Sequence, residues 1–89
     1  VTGEAPVDLL DVLVQNTLAV LGPARAQRGQ WGDELAQLHS RAAAEGARGL
    51  ADLMETILAL LAADGKAAGL GAGLEEPFAA AWRRIVEGL

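Results

Sequence analysis

Eighty-nine residues set a limit of one domain. The net charge of −5, from twelve acids against seven bases, excludes the clustered Lys and Arg that phosphate neutralisation demands, so no nucleic-acid partner is expected. With no cysteine, disulfide frameworks and thiolate chemistry are excluded as well. Hydrophobic residues make up 52% of the chain, and much of that is Ala and Leu, the strongest helix formers. A chain of this size buries only about 60% of its unfolded surface, so each large side chain counts. The class expected is all-α.

In chain order, Pro6 suits a helix start, with Asp8 and Asp11 near the positive end of the dipole. A first helix over 7–21 follows from Val7, Leu10, Leu13, Val14, Leu18 and Leu21, which fall on one stripe at helical spacing. Leu9, Val12 and Val20 widen that stripe beyond an ordinary single face. Gly22-Pro23 stops the helix. The stretch 24–30 reads as a short helical turn or a loop, because Gly29 and Gly32 count against a long helix. Asp33 is then a plausible cap for a second helix over 34–45, with Leu35, Leu38 and Ala42 inward and Trp31 at its entrance. Gly46 ends it.

A third helix over 47–63 carries Leu50, Leu53, Met54, Ile57, Leu58 and Leu61, widened by Leu60. A Gly- and Ala-rich stretch over 65–74 reads as a flexible connection. A fourth helix starts near Glu75-Glu76-Pro77 and lines up Phe78, Trp82, Ile85, Val86 and Leu89. Leu10, Leu13, Val14, Leu18 and Leu21 recur forty positions on as Leu50, Leu53, Met54, Leu58 and Leu61. The expected organisation is one domain over 1–89 with four helices in two helical hairpins, about 6–46 and 47–89.

The run Leu21-Gly22, Arg25, Gly29-Gln30-Trp31, Leu35 and Leu38 resembles a tetratricopeptide repeat. Gly22 would stand for the small residue of that family's first helix, and Gly29 and Trp31 would open its second. The match covers about a quarter of the chain, and Pro23 and Glu34 depart from the pattern. The resemblance implies a scaffold or adaptor that offers a groove to peptides or protein partners. The fold expected is a repeat-like pair of hairpins or a small four-helix bundle.

Chemistry is poorly supplied. His39 and Ser40 are the only residues of their types, and neighbours on a helix point about 100° apart, so they form no nucleophile–base pair. One histidine and scattered acids make no metal site. Glu75 and Glu76 read as favourable charge at a helix start. Gly69, Gly71 and Gly73 follow no strand and precede no Lys-Ser/Thr, so they read as linker, not as a phosphate loop. A non-enzymatic protein without cofactor or metal is expected.

The longest apolar stretch, Leu50 to Ala63, contains Asp52 and Glu55 and falls short of the ~20 residues of a membrane span. Val1-Thr2-Gly3-Glu4 shows no secretory pattern, so a cytoplasmic location is expected. The first and third helices are too broadly apolar for surface helices and are expected to form the inner pair. Apolar surface left over, from Leu9, Val12, Val20 and Leu60 together with Trp31 as the more exposed tryptophan, is the expected contact region for a protein partner. That partner is a second copy, neighbouring helical repeats in a longer chain, or another protein. Two rival readings are a death-fold-like signalling adaptor, if short turns at 24–30 and 65–74 supply extra helices, and a small apolar-ligand or lipid carrier with its cavity between helices one and three.

Overall fold

A computed structural model describes residues 5–64, 66, 71 and 73–89. Four α-helices carry the fold: α1 Ala5–Val20, α2 Arg28–Ala44, α3 Arg48–Ala62 and α4 Phe78–Gly88. A 3-10 turn, Arg25–Gln27, leads into α2. The described residues include no strand, so the all-α expectation holds.

Local chemistry sets the boundaries. Pro6 falls in the first turn of α1, where no intrahelical N–H bond is lost. The chain leaves α1 through Leu21, Gly22 and Pro23, with the Ala24 N–H donating back to the Ala19 carbonyl at 2.8 Å. The end of α2 is a Schellman motif. Gly46 takes φ +78°, a left-handed conformation that suits glycine. The Gly46 N–H then donates to the Ala43 carbonyl at 3.2 Å and the Ala47 N–H to the Ala42 carbonyl at 2.9 Å. Three residues thus suffice to turn α2 back against α3.

α2 begins six residues earlier than the sequence suggests, at Arg28 instead of Glu34. The two glycines that argued against a helix both sit inside it, with open space where a side chain would be. Each costs about 1 kcal/mol of helix propensity relative to alanine. Trp31 outweighs them. It is only 5% exposed, and truncating a buried aromatic costs roughly 3–5 kcal/mol. Helical backbone from Arg28 onward places Trp31 in phase with Leu35 and Ala42, all three buried.

The most extensive packing joins α2 with α3 and α1 with α4. Lesser contacts join α3 with α4 and α1 with α2, which closes a ring of four helices. The two helices expected as an inner pair, α1 and α3, are not extensively packed on one another and stand across the ring. Each therefore has two helical neighbours and hides a broad face. For α3 those neighbours cover Leu53, Met54, Ile57, Leu60 and Leu61. The radius of gyration, 12.1 Å, equals the ~12 Å of one packed chain of this length.

The second hairpin also departs from a simple turn. The Phe78 ring, at the head of α4, lies so close to Gly49, at the head of α3, that a Cβ there would overlap it. Gly73 and Leu74 lie beside Asp52, Glu55, Thr56 and Ala59 of α3. These two residues thus lie along α3 shortly before α4 begins. The Gly/Ala connection read over 65–74 lies partly outside the described residues. Of those described, Leu74 packs against the core and Gly71 lies against the Trp82 indole.

Candidate interaction surface

The core takes in most of the residues first assigned to a partner. Trp31 is 5% exposed, barely different from Trp82 at 4%. Its indole Nε1 donates to the Thr17 hydroxyl oxygen at 3.2 Å inside the core, so the polar edge of the ring is satisfied without water. Trp31 is therefore a core residue and not the exposed tryptophan. Val20 and Leu60 are buried too, and Leu9 is half-buried against the core. The physical reason is the ring of helices: Val20 and Leu60 widen their stripes toward a second neighbour, not toward solvent.

Val12 alone among the five expected contact residues is exposed, at 46%. It sits in mid-helix on α1. Leu9, Asn16 and Ala19 lie three before it, four after it and seven after it, all half-buried. Residues at this spacing share one face, so the four form a row of about 15 Å along the outer side of α1. Among the described residues, Leu89 at the end of α4 is the other large exposed apolar side chain.

Beside this row, an open groove of about 190 Å³ runs between α1 and the start of α2. Asn16 and Ala19 form one side of its lining, with Gln27, Gln30 and Glu34 on the other. A larger open groove of about 350 Å³ lies over α3, lined by Asp52, Glu55, Thr56, Ala59 and Leu74. Glu55 also faces α2, with the His39 Nε2 at 3.6 Å from its carboxylate. That contact places His39 half-buried between α2 and α3.

Arg25, Arg28, Arg83 and Arg84 are each matched by an acid. Arg28 reaches Asp64 at 2.6 Å and Arg25 reaches the same carboxylate at 3.2 Å. Asp64 ends α3 with φ +56°, a left-handed conformation that aspartate tolerates better than most residues. Arg84 meets Asp11 at 2.7 Å, which ties α4 to α1, and Arg83 meets Glu76 at 3.1 Å. All these partners are well exposed, and such pairs contribute roughly 0–1 kcal/mol each. They orient helix ends more than they stabilise the fold.

Among the described residues, no three His, Asp or Glu side chains are grouped to hold a metal ion. No described helix is long and apolar enough to cross a membrane. Compared with known proteins, the chain matches no family model, no curated protein and no solved structure.

Proposed function

We propose that this chain is a non-enzymatic protein–protein interaction module that engages its partner through the outer row of α1. The observation that carries this reading is Val12. It stands 46% exposed in the middle of a helix whose other large described apolar side chains are buried or half-buried. In this bundle α1 covers Leu10, Leu13, Val14 and Val20, but not the side that bears Val12. Leu9 and Ala19 extend that apolar side, and the groove at the start of α2 continues it. An uncovered apolar strip beside a groove is the kind of surface a partner helix fills.

The resemblance to a tetratricopeptide repeat bears on this reading at one point. Gly29 and Trp31 do open the second helix, as that family's pattern requires. Gly22 falls in the turn after α1 instead of within a helix, which departs from that pattern.

A photo-crosslinking side chain at position 12, introduced in the cells that make the protein, tests the reading. A protein adduct is expected at position 12 and none at the exposed Ala43 of α2. Absence of an adduct at position 12 would overturn it.

A further inference from the structure

We infer that the partner for this face is a second copy of the same chain, laid parallel along α1 with Asn16 against Asn16. This rests on the interaction reading above and names the partner it left open.

Three observations converge. The first is spacing. Leu9, Val12, Asn16 and Ala19 alternate by three and four residues, the pattern of a and d positions in a two-stranded coiled coil. Val12 and Ala19 are small enough for two helices to approach closely.

The second is Asn16. It is half-buried, occupies one of the a positions, and its side-chain amide makes no hydrogen bond to another described residue. Any partner that covers the row buries an amide with two donors and an acceptor oxygen. A buried amide needs a polar partner. A parallel copy in register supplies one, because each Asn16 meets the identical group, donor to acceptor. An antiparallel copy centred on the row would set Asn16 against Val12 and leave it unpaired. A single asparagine at an a position is a recognised device for fixing register and strand number.

The third is charge. Two copies of a −5 chain repel one another. Among the described side chains, the face with less uncompensated acid is the better match to its own copy. Gln15, Gln27 and Gln30 rim the row, and Asp11 beside it is paired with Arg84. Glu34 is the one acid among the described residues that line the adjoining groove. By contrast, the groove over α3 carries Asp52 and Glu55 and would repel a second copy.

A seam this short buries less than the roughly 800 Å² per partner of a stable complex. The dimer is therefore weak, populated at about 500 μM chain and dispersed at about 1 μM. The chain has no cysteine, so single-cysteine variants report contacts without background. Under mild oxidation the purified Asn16→Cys protein is expected to form a disulfide dimer, while Ala43→Cys stays monomeric. In sedimentation, the unmodified chain is expected to shift from monomer to dimer over that concentration range. Val12→Glu should weaken the dimer at least tenfold with its thermal midpoint unchanged, since Val12 is exposed.

A chain that sediments as a monomer throughout overturns the inference. So does a dimer indifferent to Val12→Glu, or cross-linking at Ala43→Cys equal to that at Asn16→Cys. The two readings separate cleanly. A monomeric purified chain whose position 12 cross-links a different protein in cells removes the self-pairing and keeps the interaction module; no contact in either experiment removes both.

Discussion

Thr17→Val is the sharpest perturbation of the core, because it changes one hydrogen bond and little else. Thr17 is fully buried, and its hydroxyl accepts from the Trp31 indole N–H at 3.2 Å. Valine has nearly the same shape and a similar helix propensity, so packing and backbone terms largely cancel. What remains is an indole N–H left in the core without an acceptor. Such a group costs about 1–3 kcal/mol, against about 4–13 kcal/mol for the whole domain. The thermal midpoint should fall by about 4–8 °C for each kcal/mol lost.

Urea unfolding followed by circular dichroism measures the loss, with the slope against denaturant unchanged if only stability has moved. Trp31→Phe removes the donor, and in that background Thr17→Val should be nearly neutral. The cycle should therefore return a coupling of about 1 kcal/mol or more. A Thr17→Val protein as stable as the parent, or a cycle that adds without coupling, would refute the placement of Trp31 against Thr17.

Three further outcomes follow from the same structure. Gly29→Ala and Gly32→Ala, both facing open space in α2, should each stabilise the domain by up to about 1 kcal/mol in thermal unfolding. Gly49→Ala should do the opposite although it too lies in a helix, because its Cβ would overlap the Phe78 ring; a loss of about 1–3 kcal/mol is expected, partly restored by Phe78→Leu in the same chain. Asp64→Asn keeps a residue type that accepts the left-handed backbone but discharges the acceptor of Arg25 and Arg28. It should cost no more than about 1 kcal/mol at low salt, and the difference should largely vanish at about 1 M salt.

Helix content was legible in the sequence wherever a stripe met a strong stop. Gly22-Pro23 and Gly46 end their helices where their chemistry requires. The start of α2 was misread because Gly29 and Gly32 were weighed by propensity alone. Trp31, Leu35, Leu38 and Ala42 already fall at helical spacing, and that signal extends the helix back past both glycines once Trp31 is counted as core. Helix pairing was not legible. A stripe says that a face is covered, not by which neighbour. The breadth of α1 and α3 suggested an inner pair, whereas each has two other helices beside it. The same ambiguity governs the candidate contact residues. Leu9, Val12 and Val20 all widened one stripe, and only the bundle geometry separates buried Val20 from exposed Val12.

Hydroxyl-radical footprinting at about 1 μM, where a weak dimer is dispersed, tests most directly whether α1 leaves its Val12 side uncovered. Tryptophan and methionine are intrinsically far more reactive than valine. Even so, Trp31, Trp82 and Met54 should be protected in the folded chain, along with Val20 and Leu60, while Val12 and Leu89 are modified. Rapid labelling of Trp31 together with protection of Val12 would contradict the account.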